Sequence, residues 1–200
     1  MDEQASPPNP TLRDLTRDAV RFRISDVALR LIDERGFDHV TVEQIASVVG
    51  ISTRSFNRYF PTKEDAVLGD LLPWGEHLRT SFVGRPRDEP IWQGLQSAFL
   101  SLLDLAERDP ERRQRVTRVV TSSPALRGRS AEKQLLWAAM LTPVVADRLS
   151  GEDAALRAEA LVRAALTCFD VGLSSSVGAN ESRAASDLVA LAFDELKLTA

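Results

Sequence analysis

Between Gln44 and Lys63 the chain carries Arg54, Arg58 and Lys63 and no Asp or Glu, although its 29 acidic residues outnumber its 25 basic ones. Cationic groups without a neighbouring carboxylate suit a polyanion such as a phosphate backbone. Phe56 and Phe60, four residues apart, would pin a helix to a core and leave Thr53, Arg54, Asn57 and Arg58 facing outward. These side chains are mostly hydrogen-bond donors, matched to phosphate oxygens and to acceptors on base edges. Lys63 would lie in the first turn of a helix capped by Thr62, where the helix dipole disfavours a cation. A bound phosphate that met the ammonium and the helix-start amides together would remove that conflict. Two arginines on one helix face also suit a plain solvated surface, so the elements that hold them decide between the two.

Those elements have complete local signals. Thr41 can cap a helix, Gln44 stands three residues on for a capping box, and Val40 and Ile45 occupy hydrophobic-staple positions. Val42, Ile45, Ala46 and Val49 form one apolar face, and Gly50 follows where a left-handed turn is needed. Ser52 is a second N-cap, with Ile51 and Phe56 in the staple positions. Thr41 and Ser52 are needed as caps whether or not they also touch a ligand. Before this pair, Val20, Ile24, Val27, Ala28, Leu31 and Ile32 line one side of a helix that Gly36 ends. A longer helix followed by two short ones around a glycine turn describes a three-helix DNA-binding unit.

The order Arg23-Ile24, Val27-Ala28, Gly36-Phe37, Thr41-Val42, Ile45-Ala46, Gly50-Ile51-Ser52, Phe56, Tyr59-Phe60 and Lys63-Glu64 resembles the N-terminal signature of the TetR family of transcriptional regulators. The resemblance implies an all-α protein: a three-helix helix-turn-helix domain followed by a larger helical domain for ligand binding and dimerisation. It implies a homodimer that holds palindromic double-stranded operator DNA, acts as a repressor, and is released by a small-molecule effector. Position by position, Thr41 and Val42 would open the supporting helix on the DNA backbone, with Ser52 at the start of the reading helix. Thr53, Arg54, Asn57 and Arg58 would face bases or nearby phosphates, and Tyr59 and Lys63 would hold phosphate. Asn57 stands where the family usually has an aromatic residue, so a polar contact, to adenine, is expected there. The domain limits expected are a flexible tail over 1–10, the helix-turn-helix domain over 11–66 and the helical domain over 67–200.

Beyond the reading unit, helical spacing predicts elements over Thr62–Phe82, Ile91–Arg108, Glu111–Thr121, Ser130–Leu149, Asp153–Ser174 and Ser182–Leu198. Breaks fall at Pro86 and Pro90, Asp109-Pro110, Pro124, Gly151 and the Gly178 to Asn180 stretch, and Pro73 and Pro143 should kink or interrupt their helices. The helix from Thr62 to Phe82 is expected to serve as the lever between the two domains. Trp92, Phe99, Leu103, Val120, Trp137, Met140, Leu141 and Phe169 either line a ligand cavity between helices or are ordinary packed core. Leu161, Ala165, Cys168 and Gly172, with Leu188, Leu191, Ala192 and Leu196, offer stripes whose small residues allow close helix approach. By the family resemblance these stripes would pair with their copies across a twofold axis. The acid-free run from Arg112 to Ala131 holds Arg112, Arg113, Arg115, Arg118, Arg127 and Arg129. It is either a solvated basic face or a receiver for an anionic effector such as an acyl-CoA, whose hydrocarbon would enter the apolar interior.

Bulk properties narrow the remaining classes. With 44% hydrophobic and 27% charged residues, the composition is that of a folded globular chain, and its net charge of −4 leaves DNA binding to local charge placement. Cys168 is the only cysteine, and the two histidines, His39 and His77, stand apart, so neither a disulfide framework nor a metal cluster is expected. No glycine-rich phosphate loop and no Gly-x-Ser-x-Gly elbow is present. The expectation is a protein that is not an enzyme and uses no cofactor. No apolar run reaches the roughly 18 residues of a membrane span, and the first ten residues lack the regions of a signal peptide, so the expected place is the cytoplasm.

Overall fold

The computed structural model describes residues 11–69, 72–106, 109–178 and 181–197, except for the side chains of Asp14 and Lys133. The tail expected over 1–10 lies outside the described residues. Among the described residues the secondary structure is helical throughout, with no strand. The chain divides into two compact units, residues 1–69 and 70–200.

The first unit contains α1 (Leu12–Arg35), a single 3-10 turn (Phe37–His39), α2 (Val42–Val49), α3 (Thr53–Tyr59) and α4 (Lys63–Leu68). Ile24, Val27, Ala28, Leu31 and Ile32 of α1 are buried, as their spacing requires, against Val40, Ile45, Ala46, Phe56, Phe60, Ala66 and Val67. α1 ends at Gly36, whose φ of 85° is readily available only to glycine. The Thr62 hydroxyl caps α4, accepting from the Asp65 amide at 3.1 Å and donating to the Asp65 carboxylate at 2.9 Å. The cap thereby gives this buried acid a partner.

The expected continuous helix from Thr62 to Phe82 does not form. α4 stops at Leu68, Gly69 takes φ 71° and ψ −164°, and the next helix begins at Leu72. Glycine tolerates that backbone, which ends the hydrogen-bond ladder. Pro73 therefore stands in a first turn, where the amide it lacks would have had no helical acceptor.

The second unit contains α5 (Leu72–Val83), α6 (Ile91–Ala106), α7 (Pro110–Ser122), α8 (Pro124–Ala146), α9 (Ala154–Ser175) and α10 (Ala185–Glu195). α8 starts six residues earlier than expected at Ser130, because Ser123 caps it and Pro124 takes the first-turn position. Pro143 is accommodated inside the end of α8. The Arg148 guanidinium closes the C-terminal end of α5, donating to Phe82 O and Arg85 O at 2.8 Å each and lying 4.3 Å from the Phe82 ring centre. The core gathers around Phe99, whose ring centre lies 5.2 Å from that of Phe169 and 5.9 Å from that of Phe193.

Candidate nucleic-acid interface

α2 begins with a complete capping box. The Thr41 hydroxyl accepts from the Gln44 amide at 3.3 Å, and the Gln44 side chain accepts from the Thr41 amide at 3.0 Å. Gly50 closes the helix at φ 85° and ψ 31°, and the amides of Gly50 and Ile51 both donate to Ala46 O at 2.9 Å. That left-handed residue turns the chain within three residues, so α3 starts at Thr53 under its own cap, the Ser52 hydroxyl, which accepts from the Ser55 amide at 3.1 Å. These contacts are local, so the helix-turn-helix is specified by adjacent residues rather than by distant packing.

Phe56 is fully buried and Phe60, at the cap of α3, is 2% exposed. The opposite side of α3 is thereby fixed outward. Arg54, Asn57 and Arg58 are exposed, and Thr53 and Tyr59 are half-buried. Thr41 and Ser52 are exposed at the two helix starts, and Val42 is half-buried in the first turn of α2. The structure thus brings Ser52 to Tyr59 together on one short helix and its cap, with Thr41 and Val42 at the head of its supporting helix.

Lys63 has a partner that sequence reasoning missed. Its ammonium donates to Phe37 O at 2.8 Å and Val40 O at 3.0 Å and lies 3.9 Å from the Phe37 ring centre. The unfavourable place of this cation at a helix start is offset by two carbonyls and an aromatic face from the loop before α2. Lys63 therefore ties the start of α4 to the entry of α2, with one ammonium proton beyond those two bonds.

Arg21 was also missed. Its guanidinium donates to Tyr59 O at 2.9 Å and lies 4.6 Å from the Phe60 ring centre, so it fastens the end of α3 to α1. One and two turns earlier stand Arg17 and Arg13, which line a groove with Leu12, Thr16, Arg58 and Tyr59. The spacing Arg13, Arg17, Arg21, four apart, was the available signal.

The residues of the expected dimer stripes divide by burial. Ala165, Cys168 and Leu188 are 5% exposed or less, Gly172 is buried with them, and all four belong to the chain's own core. A Cβ on Gly172 would come within 2.5 Å of Val189 Cα, so the small residue serves the approach of α9 to α10 inside one chain. Leu161 and Ala192 pack against the same core as half-buried residues. Of the named set, Leu191 at 46% and Leu196 at 49% are exposed; Leu156 at 68% and Val171 at 52% on α9 were not foreseen.

Phe99, Leu103, Trp137, Leu141 and Phe169, offered as cavity lining, are no more than 6% exposed and form packed core. Trp92 donates its indole N–H to Phe193 O at 3.0 Å and is half-buried, as is Met140. Val120 lines a cavity of about 90 Å³ with Thr121, Arg127, Ser130 and Gln134, room for a few waters. In the basic run, Arg129 pairs with Glu132 at 2.7 Å and Arg127 donates to Thr121 O. Cys168 is buried, its thiol faces Ala192 O at 3.4 Å, and burial pushes its pKa up, which suits inert packing. His39 is exposed, and His77 Nε2 lies 3.0 Å from Ser101 Oγ. Among the described residues no cluster of His, Cys, Asp and Glu is placed to hold a metal, and no helix is long and apolar enough to cross a membrane.

A doubly capped helix-turn-helix with an outward donor face, followed by a larger helical unit, defines a DNA-binding transcription regulator. Residues 24–68 match the model of bacterial regulatory proteins of the tetR family, and residues 89–198 match the model of the MftR C-terminal domain. The chain belongs to the TetR family of transcriptional regulators. It is 32% identical over 100 residues to the HTH-type transcriptional regulator TcmR of Streptomyces glaucescens, an alignment covering 50% of this chain and 44% of that protein. It is 27% identical over 136 residues to the transcriptional regulator MftR of Mycobacterium tuberculosis, covering 68% of this chain and 69% of that one. Among solved structures, a TetR-family regulator from Streptomyces coelicolor A3 superposes with TM-score 0.55 at 18% identity, covering 97% of each chain. FadR of Thermus thermophilus, a TetR-family repressor solved in complex with lauroyl-CoA, superposes with TM-score 0.53 at 22% identity over 88% of this chain and 92% of that one. At such identities the structural likeness speaks for the all-helical fold. Both sequence relatives are transcriptional regulators by name.

Proposed function

We propose that residues 11–66 read a near-palindromic operator, that the chain does so as a cytoplasmic homodimer acting as a repressor, and that residues 67–200 bind a small molecule that releases the DNA. The carrying observation is the outward face of α3, where Arg54, Asn57 and Arg58 are exposed on a helix held by buried Phe56, in a stretch with no carboxylate from Gln44 to Lys63. Exposed Leu156 and Val171 on α9, Leu191 on α10 and Leu196 at its C-cap support pairing of two chains through the outer faces of these helices. In such a pair the reading helices would sit about 34 to 36 Å apart, one turn of the duplex. The likeness to a regulator solved with lauroyl-CoA, together with the arginines from Arg112 to Arg129, supports an apolar or acyl-CoA-like effector. Release then follows from preferential binding of effector to the form that fits DNA less well, with a coupling of about 1 to 3 kcal/mol typical of such systems.

The test is selection of bound duplexes from a random library, followed by mass determination of the complex. A twofold-symmetric motif holding two chains is expected; binding without sequence preference, or by a single chain, would overturn it. Adding lauroyl-CoA should raise the melting temperature and release the duplex.

A second reading, a DNA-binding regulator with no small-molecule effector, is favoured by one observation. Phe99, Trp137, Leu141 and Phe169 are packed against one another, where the effector reading wants an opening. Unchanged melting and unchanged DNA affinity across acyl-CoA esters and an apolar compound library would select this reading.

A further inference from the structure

We propose that the exposed N-terminal turns of α1 form a second DNA-binding surface, in which Arg13 and Arg17, together with Arg58 of α3, clamp the sugar-phosphate backbone flanking the bases read by α3. This clamp rests on the reading of α3 given above and extends the footprint that reading implies.

α1 starts at Leu12, but its fully buried positions begin only at Ile24. From Leu12 to Ala19 the described side chains are exposed, so this stretch gains nothing from burial in the core of its own unit. Arg13, Arg17 and Arg21 recur every four residues and lie along one side of the helix. Arg21 fixes where that side points, because it donates to Tyr59 O and stacks on Phe60 at the end of α3. Arg13 and Arg17 continue the same side past the end of α3. With Leu12, Thr16, Arg58 and Tyr59 they line an open groove of about 990 Å³. No carboxylate is among the described residues that line it, and neither guanidinium of Arg13 and Arg17 has a hydrogen bond or ion pair among the described residues.

Three guanidiniums turned to one groove repel one another unless an anion lies between them, and guanidinium is the group best shaped to grip phosphate oxygens. The groove is far larger than a single phosphate needs. Arg13 and Arg17, one turn apart, are separated by about 6 Å along the helix axis, while one DNA strand presents a charge about every 3.4 Å of its axis. Two arginines at that spacing, each on a long side chain, can meet separate phosphates of one strand. Arg58 and Tyr59 belong both to this groove and to the end of α3, so a duplex read by α3 has its backbone continuing into the groove.

The test uses the full chain and duplexes selected from a random library by the unsubstituted protein, offered with long flanks and trimmed to the motif. Binding is measured by fluorescence anisotropy from 50 to 200 mM salt for the unsubstituted chain, R13A/R17A and R13K/R17K. R13A/R17A should flatten the slope of log affinity against log salt by about 2 for each protomer bound and lose about tenfold in affinity on the long duplex. Trimming should weaken the unsubstituted chain and leave R13A/R17A nearly unaffected, and the lysine pair should restore the slope. Alanine is the best helix former, and an unchanged melting curve will show that the fold is retained. Equal slopes and equal affinities for R13A/R17A and the unsubstituted chain would overturn the clamp alone. An unsubstituted chain that enriches no duplex would overturn the reading of α3 and the clamp together.

Discussion

The Lys63 ammonium lies 3.9 Å from the centre of the Phe37 ring while donating to the carbonyl of the same residue at 2.8 Å. This cation joins the loop that opens α2 to the helix that follows α3. Lys63→Ala would take the ammonium from Phe37 O, which keeps the Val40 amide at 3.4 Å, and from Val40 O, and would remove the contact with the ring. Melting should show a loss of about 1 to 3 kcal/mol. Affinity should fall alike for matched and unmatched duplexes, since no base edge is involved. A variant with parental stability that loses affinity only for the matched duplex would refute this role.

Arg54→Ala and Asn57→Ala act on exposed side chains and should leave the melting curve unchanged. Each should weaken binding to the selected duplex by about 1 to 3 kcal/mol at fixed salt and relax sequence preference at its own position. Anisotropy titrations against a panel of single-base variants measure both effects. Affinity equal to that of the unsubstituted chain on every duplex would remove these residues from the reading face.

Thr41→Ala and Ser52→Ala each delete one hydroxyl that accepts from a helix-start amide. A cap of this kind contributes about 1 kcal/mol, and both variants should lower the midpoint of chemical unfolding accordingly. Glycine in place of alanine should cost only a few tenths of that energy, which separates loss of the cap from disturbance of the helix.

Gly172→Ala places a methyl group against the Val189 backbone, at distances of 2.5 to 2.6 Å in the present packing. α9 and α10 must then move apart, and overpacking of this kind costs about 1 to 3 kcal/mol. Urea unfolding should show the loss, whereas Ala164→Gly, at a half-buried position on the same helix, should show only the propensity cost of about 1 kcal/mol.

Glu89 accepts from Arg85 Nε at 2.8 Å, and this bond holds its carboxyl below the ordinary value of 4.5, with burial opposing and the charges of Arg85 and Arg148 assisting. A folded pKa below the unfolded one means that the pairing adds stability above the unfolded value and loses it as pH falls through the folded one. Glu89→Gln should therefore melt slightly lower at pH 7 and lose less on acidification. Parallel melting curves against pH for the two proteins would contradict that assignment.

How much of this was legible in the residues depended on range. The capping box at Thr41, the left-handed Gly50 and the cap at Ser52 lie within a few positions of what they control, and sequence reading located them. The conflict at Lys63 was visible too, but its resolution lies 26 and 23 residues away in chain, beyond the reach of local patterns. The stripe through Ala165, Cys168 and Gly172 announced a close helix approach without saying to which helix, and the answer is α10 of the same chain. The stop at Gly69 was missed because the apolar spacing continues through it and a helical glycine costs only about 1 kcal/mol.

α3 is seven residues long, about two turns, well short of what persists as an isolated helix in water. Its shape is lent by Arg21, by Phe56 and by the two neighbouring helix caps. On the proposed reading of α3, recognition and local folding are one equilibrium: warming that loosens the first unit will erase sequence preference in step with ellipticity, and bound operator will act as a folding ligand for that unit.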